Sequence, residues 1–211
     1  MDSQGPIETE LVMVDHDDKM TYRCSAERML DRATSLTYKP NFREDETFIQ
    51  SPYMDNRLWV WVALEVAKTL ENGAIVFSTY EERGGGSVGY LGRFLYDKYD
   101  IHQALISDIT WVTEGVKHGK GVAISMRDQG IPRRSYLNRI IQIASENNIH
   151  FQLEVESAGG SDGTMLQKSS LAFDWCFIRA PEDHVHTPDE KVHKSDIDDM
   201  INIYQVLMRE L

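Results

Sequence analysis

The chain has 211 residues, 41% of them hydrophobic and 27% charged, a composition that supports a folded core and excludes wholesale disorder. Its 22 lysines and arginines stand against 34 acids, a formal net charge of -12 at pH 7, so a phosphate backbone or an anionic membrane surface would repel it. No apolar run approaches the roughly 20 residues that cross a bilayer, and the N-terminal MDSQGPIETEL lacks the basic flank and apolar core of a secretory signal. Neither nucleic acid nor membrane is therefore expected as a partner, and the expected compartment is the cytoplasm. Two cysteines make no disulfide framework, and Cys176, inside the apolar run FDWCFI, reads as a reduced core residue.

Residues 1–8 read as a flexible tail and 9–211 as a single domain. Glu10 to Val14 (ELVMV) predicts a short buried strand, and Met20 to Cys24 a second. Residues 37–54, rich in Pro, Asn, Asp and Ser, predict an irregular connection. Asp55 to Glu71 predicts a helix stopped by Gly73, and its continuous apolar stretch from Leu58 to Leu64 predicts burial nearly all round. Ala74 to Ser78 (AIVFS) predicts a strand, followed by the polar TYEERGGG and a helix over Ser87 to Tyr99. Strands are expected at Gln103 to Ser107 and Gly121 to Met126. Pro132 opens a helix with Leu137, Ile140, Ile141 and Ala144 at helical spacing. Phe151 to Val155 predicts a strand, SAGGSDG a turn into a short helix, and Asp174 to Ile178 a further strand. In the last helix Ser195 and Asp198 resemble a capping box, and Ile197, Met200, Ile201, Tyr204, Leu207, Met208 and Leu211 form one stripe. Strands alternating with helices predict a layered α/β domain around a mostly buried sheet.

Side chains able to hold a metal fall at the ends of these elements. His16 and Asp18 follow ELVMV, Asp55 starts a helix, Glu81 and Glu82 follow AIVFS, and Asp108 follows QALIS. His186 lies in the loop after the strand ending near Ile178. In open α/β sheets the loops at strand C-terminal ends converge on one crevice, where ligands bind. Two imidazoles among several carboxylates suit zinc, cobalt or manganese and are too rich in nitrogen for a typical calcium site. Singly, each residue is an ordinary turn former, N-cap or surface charge. Together, at successive strand ends, they form a candidate centre.

The order His-x-Asp, Asp-Asn-Arg, Glu-Glu, Ser-Asp, Gly-Ser-Asp-Gly and His-Thr-Pro also resembles a known family. It is carried by HDD (16–18), DNRLWVWVALEVAK (55–68), YEERGGG (80–86), SDIT (107–110), GGSDGT (159–164) and APEDHVHTPDEKV (180–192). Over residues 10–211 the chain resembles the deblocking (tetrahedral, glutamyl-type) aminopeptidases, a family of di-metal exopeptidases. The resemblance implies a three-layer α/β/α fold with a central mixed, mostly parallel sheet. It implies a hydrolase that cleaves an N-terminal amino acid from peptides, with two divalent metal ions: zinc first, cobalt or manganese as alternatives. Asp55 would bridge the ions, His16 and Asp108 would complete one site, and Glu82 and His186 the other. Glu81 would be the general base, and Asp18 would orient His16 by a hydrogen bond. His184 is the alternative to His186 in another register of the loop, and the His-Thr-Pro context favours His186. Asp162 and Arg57 are candidate substrate-binding residues; equally, Asp162 holds a Gly-rich turn and Arg57 anchors its loop. His102, His118 and His193 lack a constellation and read as surface residues. Trp59 stands where the family tends to a small residue, which is expected to narrow the pocket. Family members carry an inserted β-rich domain between the His-x-Asp strand and the Asp-Asn-Arg helix. Only residues 19–54 lie between them here, so a minimal catalytic domain is expected, with a homo-oligomer open but the tetrahedral assembly in doubt.

Other readings compete. Gly84, Gly86 and Gly89 form a G-x-G-x-x-G with Asp108 beyond it, the pattern of a dinucleotide site, although Glu81 and Glu82 beside it would repel a pyrophosphate. The same metal chemistry would serve a deacylase or a carboxypeptidase, and a silent interaction module would keep the fold without the reaction.

Overall fold

The computed structural model describes residues 4–16, 19–157 and 159–211. In chain order the elements are β1 (Glu10–His16), β2 (Lys19–Ser25), β3 (Arg43–Glu44), β4 (Phe48–Gln50), α1 (Met54–Ala67), α2 (Val88–Tyr99) and β5 (Gln103–Trp111). There follow β6 (Val122–Arg127), α3 (Arg134–Glu146), β7 (Phe151–Val155), α4 (Asp162–Lys168), β8 (Asp174–Asp183), β9 (Lys191–His193) and α5 (Lys194–Glu210). The chain divides into two compact units, Met1–Lys39 and Pro40–Leu211. In the first, both predicted strands form, as an antiparallel hairpin with Glu10 opposite Ser25 and His16 opposite Lys19, but Val12 of the strand expected to be buried is 45% exposed, since a two-stranded sheet covers few of its side chains. That hairpin is a two-stranded sheet of its own.

The second unit is built on a seven-stranded mixed sheet ordered β3-β4-β9-β8-β6-β7, with β5 also paired to β8. The sheet is mixed, as expected, and its longest ladders are parallel, β5 with β8 and β6 with β7. Short antiparallel ladders join β8 to β6 and β9, β9 to β4, and β4 to β3. Because strand side chains alternate between faces, β8 serves two cores. Cys176, Ile178 and Ala180 pack with Trp59, Val62 and Val66 of α1, Leu137 and Ile140 of α3, and Met200 and Leu207 of α5. Trp175 and Phe177 point the other way, onto Leu166 of α4 and Val88 of α2. Helices on both faces give the three layers.

Several expectations are corrected. Helix α1 buries Met54, Trp59, Val62 and Val66 but leaves Val60, Trp61 and Leu64 exposed at 43–53%. Its packing partners α5 and β5 take one stripe of the helix and leave the opposite face to solvent. Trp59, 1% exposed, belongs to the core and does not line the cavity described below. Ala74–Ser78 is not a strand. Local β propensity is insufficient without a neighbouring ladder, and among the described residues β5 pairs only with β8. Strand β5 runs past Ser107 to Trp111, and β8 past Ile178 to Asp183, because their shared ladder is longer than either local pattern. Asp108 therefore sits inside a strand, not after it. Residues 37–54 contain β3 and β4, and β9 is too short for a pattern to mark. The cap of α5 is His193, whose Nδ1 accepts the Ser195 amide at 3.2 Å, so Ser195 lies within the helix. His118 is not a surface residue: its side chain is 14% exposed, with Nε2 3.0 Å from Asp183. Cys176 is buried and free, as expected. Among the described residues no helix is long and apolar enough to cross a membrane.

Removing the fully buried Ile178 side chain tests this frame. Ile178→Ala should lower unfolding free energy by about 2–5 kcal/mol in urea titrations, whereas Val60→Ala on the exposed face of α1 should stay within about 0.5 kcal/mol.

Candidate metal centre

An open cavity of about 450 Å³ lies against the C-terminal half of β5, on the face of the sheet that carries α4. Asp55, Glu81, Glu82, Asp108 and His186 line it, together with Gln129, Glu156, Ser161, Met165, Lys168 and Arg179. Each arrives by a distinct local device. Asp55 stands where the start of α1 departs from helical dihedrals (φ -71, ψ 114), followed by a cis peptide to Asn56. Glu81 and Glu82 open a single 3-10 turn, Glu81–Arg83. After it the chain doubles back through Gly84 and Gly85, both with positive φ, so that the Ser87 amide reaches the Thr79 carbonyl at 3.1 Å. A Cβ on Gly86 would lie 1.5 Å from that carbonyl oxygen, so only glycine fits. The glycine run thus fixes the loop of the two glutamates. The third glycine of the G-x-G-x-x-G pattern, Gly89, has nothing within 4 Å of an added Cβ, so it lacks the close helix packing a dinucleotide fingerprint uses.

Asp55, Glu82 and His186 each offer a ligand atom, and these atoms lie within 4.8 Å of one another. His186 Nε2 is 3.0 Å from Asp55 Oδ2 and 4.0 Å from Glu82 Oε2. Burial, then repulsion from Asp108 and Glu82, pushes Asp55 up to about 7, and His186 opposes the shift. Glu81 is raised by burial and by Asp108, and Asp108 by burial against the pull of Arg179. A half-enclosed group of carboxylates that repel one another calls for a cation. Carboxylates with an imidazole are a donor set that divalent transition ions accept, so the residues present fit a metal.

The other expected site residues stand differently. Asp162 accepts a hydrogen bond from the Ser78 hydroxyl and is not among the residues lining the cavity, whereas its neighbour Ser161 is. Arg57 is exposed and stacks over the Tyr53 ring at 5.0 Å. His184 is exposed and outside the lining, while His186 meets Asp55. Asp18 and the His16 side chain lie outside the described residues.

Three buried residues beside the cavity carry no signal that distinguishes them in the sequence. Arg179, opposite Asp108 in the parallel ladder, is held by Glu154 at 3.1 Å and Asp128 at 3.2 Å and lies over the Phe177 ring. Glu190 accepts backbone hydrogen bonds from Met54, Asp55 and His186. Glu182 is 1% exposed, and burial followed by Glu190 pushes it up to about 9, so it is a neutral acid at pH 7. Both glutamates sit in mixed charged runs, APED and PDEK, that look like solvated loops.

An acid whose folded pKa is raised binds its proton more tightly in the folded state, so its contribution falls as pH climbs from the unfolded value toward the folded one. Between 4.5 and about 9, Glu182 should therefore make the metal-free protein progressively less stable as pH rises. Glu182→Gln, which keeps the neutral shape, should flatten that decline in urea melts at about pH 6 and 8.5. An unchanged slope would remove Glu182 from this role.

A family model described as M42 glutamyl aminopeptidase matches residues 3–203. A protein of Acetivibrio thermocellus, provisionally described as an aminopeptidase, is 32% identical over 168 residues, covering 72% of this chain and 49% of that protein. Among solved structures, aminopeptidase APDkam598 of the archaeon Desulfurococcus kamchatkensis gives a TM-score of 0.72 at 22% identity, covering 82% of this chain and 52% of that one. The Pyrococcus horikoshii TET1 peptidase, described as assembling into a tetrahedron or a large octahedral shell, gives 0.69 at 24% identity, with 82% and 54% covered. An M18-family aminopeptidase of Thermotoga maritima gives 0.67 at 16% identity, with 82% and 49% covered. At these identities the structural likeness is one of fold. The chain spans about half the length of each of these relatives.

Proposed function

The chain belongs to the M42 glutamyl aminopeptidase family, and from that premise we propose that it is a metal-dependent hydrolase removing N-terminal residues from peptides. The observation that carries this reading is the convergence of Asp55, Glu82 and His186 within 4.8 Å, with Glu81 and Asp108 lining the same cavity. Asp55, Glu82 and His186 would hold one divalent cation. Asp108 would serve a second, with Asp55 shared between the two. Cations bound there would polarise the scissile carbonyl and acidify the attacking water.

Glu81 stands beside the trio instead of within it. It takes the proton of the attacking water on a carboxylate oxygen and returns it to the leaving amine nitrogen. Burial and Asp108 raise its proton affinity, which brings it nearer the working pH of a general base. Zinc suits a site of carboxylates and imidazole, as do cobalt and manganese. A homo-oligomer fits the family, but the tetrahedral and octahedral shells belong to relatives about twice as long.

Zinc repletion, desalting and native mass spectrometry should find close to two ions per chain. Glu81→Gln should keep that metal while turnover of aminoacyl substrates falls by about 100- to 10,000-fold, since the amide cannot take the proton. Asp55→Ala should lose both ions. Metal-free wild type under repletion, or normal turnover by Glu81→Gln, would overturn the reading.

A further inference from the structure

Asp55 and His186 are 131 positions apart in the chain, on the entry to α1 and on the loop between β8 and β9, yet their side chains meet at 3.0 Å. Their backbones meet on one carboxylate. Glu190 Oε2 accepts the Met54 amide at 2.5 Å and the Asp55 amide at 3.2 Å, while Oε1 accepts the His186 amide at 3.1 Å. Glu190 is 2% exposed, so water does not compete for these bonds. Its main chain is anchored as well. The Glu190 carbonyl accepts the Ser51 amide, and β9 immediately after it pairs Val192 with Ile49 on one side and Glu182 on the other. The separation of two carboxylate oxygens is fixed by covalent geometry, so amides held on both cannot drift apart.

We propose that Glu190 is a positioning residue, whose carboxylate holds the Asp55 and His186 amides together and thereby sets the spacing at which their side chains receive a divalent cation. It rests on the metal-site reading above. Glutamine is isosteric but presents one acceptor and turns an NH2 toward amides that are themselves donors. Aspartate keeps both oxygens but is one carbon short of spanning the loops.

The test is zinc affinity of the full chain, measured by competition with a chromophoric chelator, beside urea stability. Glu190→Gln and Glu190→Asp should bind zinc about 10- to 100-fold more weakly than wild type. Leu207→Ala, which empties a fully buried site on α5, should lose stability while keeping wild-type zinc affinity. The cobalt-loaded Glu190 variants should also show a shifted visible absorption band, a readout that general destabilisation does not move. Wild-type zinc affinity in Glu190→Gln overturns the proposal and leaves the metal reading standing. No zinc binding by the wild type overturns both. Should neither Glu190 variant fold, amide hydrogen exchange on the wild type decides. The Asp55 and His186 amides must then be protected about 100-fold or more over open-loop rates, and exchange at open-loop rates overturns the proposal.

Discussion

A parallel ladder admits one register, and between β5 and β8 that register sets Asp108 directly beside Arg179. Alternation does the rest. The positions before and after Arg179 on β8, Ile178 and Ala180, face the helix layer of α1, α3 and α5, so the stripes of those three helices and the site chemistry are kept on opposite sides of one strand. A slip of one residue would turn Arg179 into the apolar core and Ile178 toward the cavity. Secure hydrophobic packing on one face thus holds the polar arrangement on the other.

That arrangement is electrostatically demanding. Burial raises Asp55, Glu81 and Asp108, Asp108 raises the other two further, and Arg179 is already committed to Glu154 and Asp128. Arg179, the one buried cation nearby among the described residues, therefore offsets the cavity's charge only in part. Glu182 relieves the strain by remaining protonated beside Glu190. The remaining negative charge faces the opening, where a small cation has direct access.

Much of this was legible in the sequence, for reasons that differ by residue. The stripes of α3 and α5 are local, since helical spacing alone puts Leu137 with Ile140 and Met200 with Leu207. Asp55, Glu82 and His186 were readable as metal-competent side chains in an order that resembles the family's, and not from the elements beside them, since Ala74–Ser78 is no strand and His186 lies within the loop between β8 and β9. Glu190, Glu182 and Arg179 were not, because their burial is decided by what folds over them, and a single charge in a charged run looks the same buried or exposed. The same limit explains Ala74–Ser78, where strand-like residues find no ladder. It explains α1 too: an apolar run states that something will be buried without saying which side.

The stretch Ala74–Ser78 has a consequence outside the active site. Val76 and Phe77 are about half exposed, at 46% and 50%, in a segment that joins no sheet among the described residues. Exposed apolar side chains offer a surface to another copy, and apolar attraction strengthens on warming. Self-association of the folded chain is then expected to rise with concentration and temperature even when every core residue is in place.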